Sequence, residues 1–251
     1  MPLELPPLSA AERAAALNAR LRHHSAASVL ERALTDPQVG RTALVTSFGA
    51  ESVALLHLVS VIDRTLPVIF LETEMLFPET LAYQAEVARF LALEDVRIIR
   101  PSRTEVFAED VDGILHLAAP DACCDLRKTR PLARALEPFD AWITGRKRFQ
   151  GGARQHLDFF EADGEKRLKI NPLAFWNAQD LQDYMTNNRL PRHPLVARGY
   201  PSIGCTPCTS PVFEHEDPRA GRWRGNEKTE CGIHFSGGKA VRPPANEGDA
   251  A

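Results

Sequence analysis

Between residues 42 and 144 the chain alternates short apolar runs with amphipathic stretches, and few folds accommodate that order. Thr42-Ala43-Leu44-Val45-Thr46, Val68-Ile69-Phe70-Leu71, Val96-Arg97-Ile98-Ile99 and Ala141-Trp142-Ile143-Thr144 have the length and composition of buried strands. Glu51 to Asp63 carries Val53, Leu56 and Val59 at helical spacing. Pro78 to Leu91 is a second helix, opened by a proline where the missing N–H costs nothing. A third is expected to begin near Cys124. Strand–helix repetition of this kind predicts an α/β fold with a doubly wound parallel sheet.

The flanks are different in character. Residues 1–40 are Ala-rich after an opening run of prolines, and Ser9-Ala10-Ala11-Glu12 reads as a capping box. They are expected to form a helical cover. His156 to Phe160 and Arg167 to Ile170, joined through Asp163-Gly164, read as a hairpin, and Ala178 to Asn187 as a short helix. The nucleotide-binding α/β domain is therefore expected over 41–200. An irregular, cysteine-bearing segment follows over 201–251, and its polar tail is expected to be mobile.

A net charge of −3 gives no global field for nucleic acid. No apolar run is long enough to span a bilayer and no signal-peptide pattern opens the chain, so no membrane role is expected. Five cysteines without a secretory signal point to the cytoplasm, where clustered thiols serve metals or catalysis. Self-association is left open.

Ser47-Phe48-Gly49-Ala50-Glu51-Ser52 joins the first strand to the first helix. In a doubly wound sheet that turn offers backbone N–H groups and a helix dipole to an anion. A plain capped turn is the competing reading. The second strand ends in Leu71-Glu72-Thr73-Glu74, facing the same crevice.

Four cysteines form two pairs, Cys123-Cys124 and Cys205-Thr206-Pro207-Cys208. Cys123-Cys124 is expected to precede a helix, whose dipole favours thiolate, with Lys128 one turn on from Cys124. A redox CxxC accounts for one pair only. Tetrahedral zinc accounts for four thiolates, but structural zinc usually takes spaced pairs. An iron–sulfur cluster lets adjacent cysteines bind different irons, and is the favoured reading. The fifth cysteine, Cys231 in Thr229-Glu230-Cys231-Gly232-Ile233-His234, has the placement of a nucleophile.

Assembled, these pieces resemble the assimilatory phosphosulfate reductases, and among them the iron–sulfur adenylyl-sulfate (APS) reductases. The resemblance rests on Ser47 to Ser52, Leu71 to Thr73, Cys123-Cys124 with Lys128, Thr144-Gly145-Arg146, the CxxC, Arg219 with Arg222, and Lys228 to His234. It implies a fold like the adenine-nucleotide α-hydrolases and a [4Fe-4S] cluster on Cys123, Cys124, Cys205 and Cys208. It implies Cys231 as nucleophile and thioredoxin as reductant. It further implies substrate contacts from Ser47, Phe48, Gly49, Glu51, Ser52, Leu71, Thr73, Lys128, Gly145, Arg146, Arg154, Arg219 and Arg222, with His234 tuning Cys231. Relatives without the cluster cysteines generally use the 3'-phosphorylated substrate (PAPS), so these cysteines point to APS. Two stretches depart from the family pattern: Leu-Glu-Thr-Glu stands for Leu-Asp-Thr-Gly, and Arg146 to Arg154 for a segment that usually contains Arg-Arg-Asp/Glu-Gln-Ser. The alternatives are PAPS reduction, ATP-dependent tRNA sulfur transfer, and a non-catalytic iron–sulfur sensor.

Overall fold

The computed structural model describes residues 8–225, 228 and 232–234. Its centre is a six-stranded sheet in the order β3-β2-β1-β4-β6-β5. β1 (Thr42–Thr46), β2 (Val68–Leu71), β3 (Val96–Ile99), β4 (Ala141–Ile143) and β6 (Arg167–Ile170) run parallel; β5 (Phe160–Asp163) pairs antiparallel to β6. β2 is buried throughout and β1 nearly so, as expected of strands covered on both faces. Edge strand β3 is half exposed and carries Arg97, paired with Asp95.

The helices are α1 (Ala10–Leu21), α2 (Ala26–Thr35), α3 (Ser52–Ile62), α4 (Pro78–Phe90), α5 (Arg103–Glu109), α6 (Leu115–Ala118), α7 (Pro120–Cys124), α8 (Arg130–Leu136) and α9 (Ala178–Asn187). The Ser9–Glu12 capping box forms. α1 then crosses the outer edge of the sheet, where Asn18 donates to the Phe160 carbonyl (2.8 Å) and accepts from its N–H (2.9 Å). One side chain thus satisfies backbone groups that an edge strand would leave open.

Two expectations shift. The hairpin's first strand begins at Phe160, not His156. One backbone bond continues the ladder past Phe160, Asn171 N–H to Phe159 O (2.7 Å), and the Asn171 side chain then takes the Asp158 carbonyl from Nδ2 (3.0 Å), where the chain has left the strand. The cysteine helix begins at Pro120 and continues beyond Cys124 into α8, so Cys123 and Cys124 lie in its opening turn rather than before it.

Beyond Cys124 the helix widens into a π turn over Asp125–Thr129 before α8. The cause lies in Pro131, at the start of α8. Proline cannot donate to the carbonyl four residues back, Arg127, and its ring would clash with it. Arg130 N–H instead reaches back five residues to Asp125 O.

That turn places Arg127 inside the protein. Its guanidinium donates to Asp110 from Nη2 (2.8 Å) and Nε (3.2 Å) and to the Thr73 carbonyl from Nη1 (3.0 Å). Burial acts to raise the Asp110 carboxyl, but hydrogen bonds from Arg127 and Leu115 N–H, with the Arg127 charge, outweigh it and hold it below its ordinary value. Asp110→Ala should cost about 3 kcal/mol, since it strands a buried guanidinium, and lower Tm by roughly 10 °C. A group with a depressed folded pKa stabilises above its unfolded pKa, and that contribution fades as pH falls through the folded value. The stability gap between wild type and variant should therefore narrow in acid. Denaturant melts from neutral pH down to about pH 3 test this; a gap constant with pH would contradict the assignment.

Candidate nucleotide and anion site

In chain order the sheet grows from β1 outward through β2 and β3, then returns to β4 on the other side of β1. The loops leaving β1 and β4 diverge there, and ligands of such sheets sit in that crevice. A cavity of about 470 Å³ occupies it. Its walls include Ser47, Gly49, Glu51 and Ser52 after β1, Leu71 and Thr73 after β2, Gly145, Arg146, Lys147 and Arg154 after β4, Lys128 on the π turn, and Ile203, Gly204, Arg219, Arg222 and Trp223 from the C-terminal segment.

Of the expected substrate residues, Phe48 alone does not line this cavity. Its side chain is fully buried and packs edge-on against Phe70, ring centroids 5.2 Å apart. Its φ is +47°, a conformation disfavoured for a bulky residue. Core packing holds it there, and the loop backbone turns accordingly. Glu51, the N-cap of α3, makes no side-chain capping bond. The first-turn N–H groups of α3 therefore lie at the cavity without a side-chain cap from it.

Among the described residues, seven basic side chains line the cavity (Lys128, Arg146, Lys147, Arg154, Arg192, Arg219, Arg222) against two acids, Glu51 and Asp217. A chain of net charge −3 thus concentrates positive charge in one place. Several of these cations are anchored. Arg146, buried, bonds Glu161, Asn171 Oδ1 (3.0 Å) and Thr144 Oγ1 (3.3 Å). Lys147 Nζ lies 2.6 Å from Glu51 Oε2, which also accepts from Gln150 (3.2 Å); Arg154 donates to Gln150. Burial pushes the Lys147 ammonium below its ordinary pKa; the Glu51 charge and hydrogen bond oppose this, and Arg154 and Arg219 add to it.

The two cysteine pairs meet beside this cavity. Cys123, Cys124 and Cys205 are buried and Cys208 half-buried. The loop before Cys208 is stitched to the end of β2: Thr206 N–H donates to Met75 O (2.8 Å), and Thr73 Oγ1 lies 3.3 Å from Cys205 Sγ. Burial pushes the Cys123 thiol up to about 11; charge on Cys205 and Cys208 would raise it too, while Arg127 opposes. The two pairs are thus near enough to sense one another's charge. Among the described residues no three His, Cys, Asp or Glu side chains are gathered tightly enough for a single metal ion.

Cys231, Thr229 and Glu230 lie outside the described residues, as does the His234 side chain. The turn Gly232–His234 is described, and it packs against the π turn. A β-carbon on Gly232 would lie 3.1 Å from Thr129 Oγ1, and Ile233 lines the cavity.

A family model, the phosphoadenosine phosphosulfate reductase domain, matches residues 41–211. The chain belongs to that family. A relative from Mesorhizobium japonicum, named adenosine 5'-phosphosulfate reductase, is 49% identical over 227 residues, 90% of this chain and 89% of the relative. One from Gloeobacter violaceus, named phosphoadenosine 5'-phosphosulfate reductase, is 42% identical across 76% of this chain and 81% of its own. The crystal structure of phosphoadenylyl-sulfate reductase from Candida auris, in a phosphate complex, matches with a TM-score of 0.67 and 28% identity over 79% of this chain and 96% of that one. The reductase fold, adenine-nucleotide α-hydrolase-like, is as the strand order of this family member requires.

Sequence reasoning did not place Lys147, Gln150, Arg192 or Trp223 in the wall. In the basic run Arg146-Lys147-Arg148, the turn after β4 sends Arg146 and Lys147 to the cavity and Arg148 outward to Asp158. Glu74 also becomes intelligible: it stands at φ +62°, where the family pattern has glycine, and its carboxylate lies 3.6 Å from Arg127.

Removing the Glu51 charge should lower the Lys147 pKa further. Affinity for sulfate or AMP falls as pH rises through that pKa, because the neutral amine no longer attracts an anion. In Glu51→Gln the fall should begin at lower pH than in wild type. Calorimetric titration with AMP across pH 6–10 measures it; superimposable pH profiles would exclude the coupling.

Proposed function

We propose that the protein reduces adenylyl sulfate to sulfite and AMP. The observation that carries this is the docking of Gly232–Ile233, next in sequence to Cys231, at a cation-rich nucleotide cavity beside two cysteine pairs. Relatives named for the same reaction support it. The apolar part of the wall, including Leu44, Leu55 and Val196, suits a purine; the basic part suits the phosphosulfate.

In this reading the N-terminus of α3 and the Ser47 loop hold the phosphate. Lys128, Arg219 and Arg222 offset the charge of the phosphosulfate, so that an anionic thiolate can approach and AMP can leave. The Cys231 thiolate attacks the sulfate sulfur. The bond from sulfur to the bridging phosphate oxygen breaks, that electron pair departs with AMP, and a Cys231 thiosulfonate remains. A dithiol reductant, thioredoxin, attacks the Cys231 sulfur and releases sulfite. Its second thiol resolves the mixed disulfide, so two electrons pass from dithiol to sulfur.

Cys123, Cys124, Cys205 and Cys208 would hold a [4Fe-4S] cluster. The fit rests on the donor set: four thiols from two segments, with the Cys123 thiol in the field of Cys205, Cys208 and Arg127, and Thr73 Oγ1 3.3 Å from Cys205 Sγ. When bound, the cluster supplies fixed charge and structural support near the substrate anion. Place in sulfate assimilation and a cytoplasmic setting follow from the reaction proposed; no helix among the described residues is long and apolar enough to cross a membrane.

The test supplies APS or PAPS with reduced thioredoxin and assays sulfite. APS should give the higher kcat/KM; equal or better use of PAPS would reverse the substrate assignment. Anaerobically purified protein should be brown, with iron and sulfide in roughly equal amounts. Cys231→Ser should retain colour and APS binding but form no sulfite, because a hydroxyl is a far weaker nucleophile than a thiolate. Wild type given APS without reductant should gain one SO3 group on the Cys231 peptide. An adduct on any other cysteine would overturn the mechanism.

Lys128→Ala should fold normally and lose roughly tenfold to a hundredfold in kcat/KM, as expected for a charge-assisted contact worth about 1.5–3 kcal/mol. An unchanged kcat/KM would remove Lys128 from the site.

A further inference from the structure

The cysteine loop and the arginine loop of the C-terminal segment are zipped together. Trp223 N–H donates to Cys208 O (3.0 Å), Ser210 N–H to Gly221 O (2.9 Å), and Thr209 bridges to Arg222. The Arg222 guanidinium lies over the Trp223 ring, 4.5 Å from its centroid, and Nη1 donates to Ile203 O (3.3 Å). Its Nε is buried and has no hydrogen-bond partner among the described residues. A buried donor of a charged group left unpaired is costly, and a cavity-lining one is the kind of group an anionic ligand satisfies.

The guanidinium also rests directly on Gly204. A β-carbon at that position would lie 2.3 Å from Arg222 Nη2, 2.5 Å from Cζ and 3.0 Å from Nε. No side chain can share that space with Arg222 as placed. Gly204 does not have the positive φ that favours glycine, and its N–H is held by Thr209 Oγ1 (3.2 Å). Backbone geometry would therefore accept alanine. What excludes it is the far end of a flexible side chain, which can swing away at little cost to the fold. Gly204 and Arg222 both line the cavity, and Gly204 immediately precedes Cys205.

We propose that Gly204 is a positioning residue for Arg222: its missing side chain seats the guanidinium against the cysteine loop and so sets the affinity of the cavity for the substrate's anionic group. The cysteine loop and the anion site are then one mechanical unit. The substrate named here rests on the APS reading above, but the contact itself does not.

The experiment compares wild type, Gly204→Ala, Arg222→Ala and the double variant as iron-loaded full chains. AMP and sulfate binding are measured by calorimetry, kcat and KM for APS with thioredoxin, iron per chain by chemical assay, and Tm. Gly204→Ala should keep its iron and a near-wild-type Tm while binding AMP or sulfate about tenfold more weakly, the scale of one charge-assisted hydrogen bond. The double variant should bind no worse than Arg222→Ala, because the alanine acts only by displacing Arg222. Penalties that add, or wild-type affinity in Gly204→Ala, would overturn the proposal. So would loss of iron in Gly204→Ala, which would assign the glycine to the cysteine loop alone. If APS is not turned over by wild type, the function fails while the AMP and sulfate arms still decide the role of Gly204.

Discussion

The buried pair Arg127–Asp110 is the joint on which the site depends. Arg127 sits on the turn that carries the tandem cysteines, and its Nη1 holds the Thr73 carbonyl at the exit of β2. Thr73 in turn contacts Cys205 through its hydroxyl. Two cysteine pairs, some eighty residues apart in sequence, are thereby registered against one strand end. A guanidinium suits this task because its fork reaches a carboxylate and a carbonyl at once, which an ammonium cannot do with the same geometry. The arrangement is stable only with both partners present, since either charge alone would be buried without compensation.

The π turn follows from the same requirement. Pro131 interrupts the α-helical ladder, and the resulting extra residue per turn changes where each side chain points. With α-helical spacing throughout, Lys128 would lie one turn from Cys124 on the same face. The widened turn instead buries Arg127 while Lys128 reaches the cavity. One proline thus separates a structural cation from a ligand-facing one at adjacent positions.

Strands β1, β2 and β3 were legible to the residue: β1 and β2 because buried parallel strands are short, apolar and bounded by polar turns, and half-exposed β3 because its β-branched residues flank a single arginine. α9 was equally legible over Ala178 to Asn187, and Asn177 caps it. The hairpin was misplaced because Leu157 and Phe159 are apolar and buried, as strand residues would be, although the Asp158 carbonyl between them bonds a side chain, Asn171, and not a strand backbone. The cysteine helix was misplaced because Pro120, upstream of the cysteines, opens it at its first position. In the site, residue types with chemistry of their own (Ser47, Thr73, Arg146, Arg154, Arg219 and Arg222, the cysteines) were named from the motif. Lys147 and Gly204 were not, since what distinguishes them is a contact: with Glu51 in one case and with Arg222 in the other.

The crowding of cations in the cavity has its own logic. Seven basic groups within one crevice repel each other, and repulsion would scatter flexible side chains into solvent. Three of the local cations are held by acids belonging to the fold: Arg127 by Asp110, Arg146 by Glu161, Lys147 by Glu51. Each pairing removes most of a charge from the electrostatic sum but leaves its N–H donors and its rigidity in place. Arg222 is held differently, by an aromatic face, a carbonyl and a bare glycine, none of which carries charge. Its full positive charge is therefore available to an anion while its position is fixed beforehand. Donors fixed before the ligand arrives lose little entropy on binding and need no reorganisation as charge develops on a leaving group. An acid beside Arg222 in place of the indole would have anchored it and cancelled the charge that makes it useful, and position 204 has no room for a side chain while Arg222 stands there.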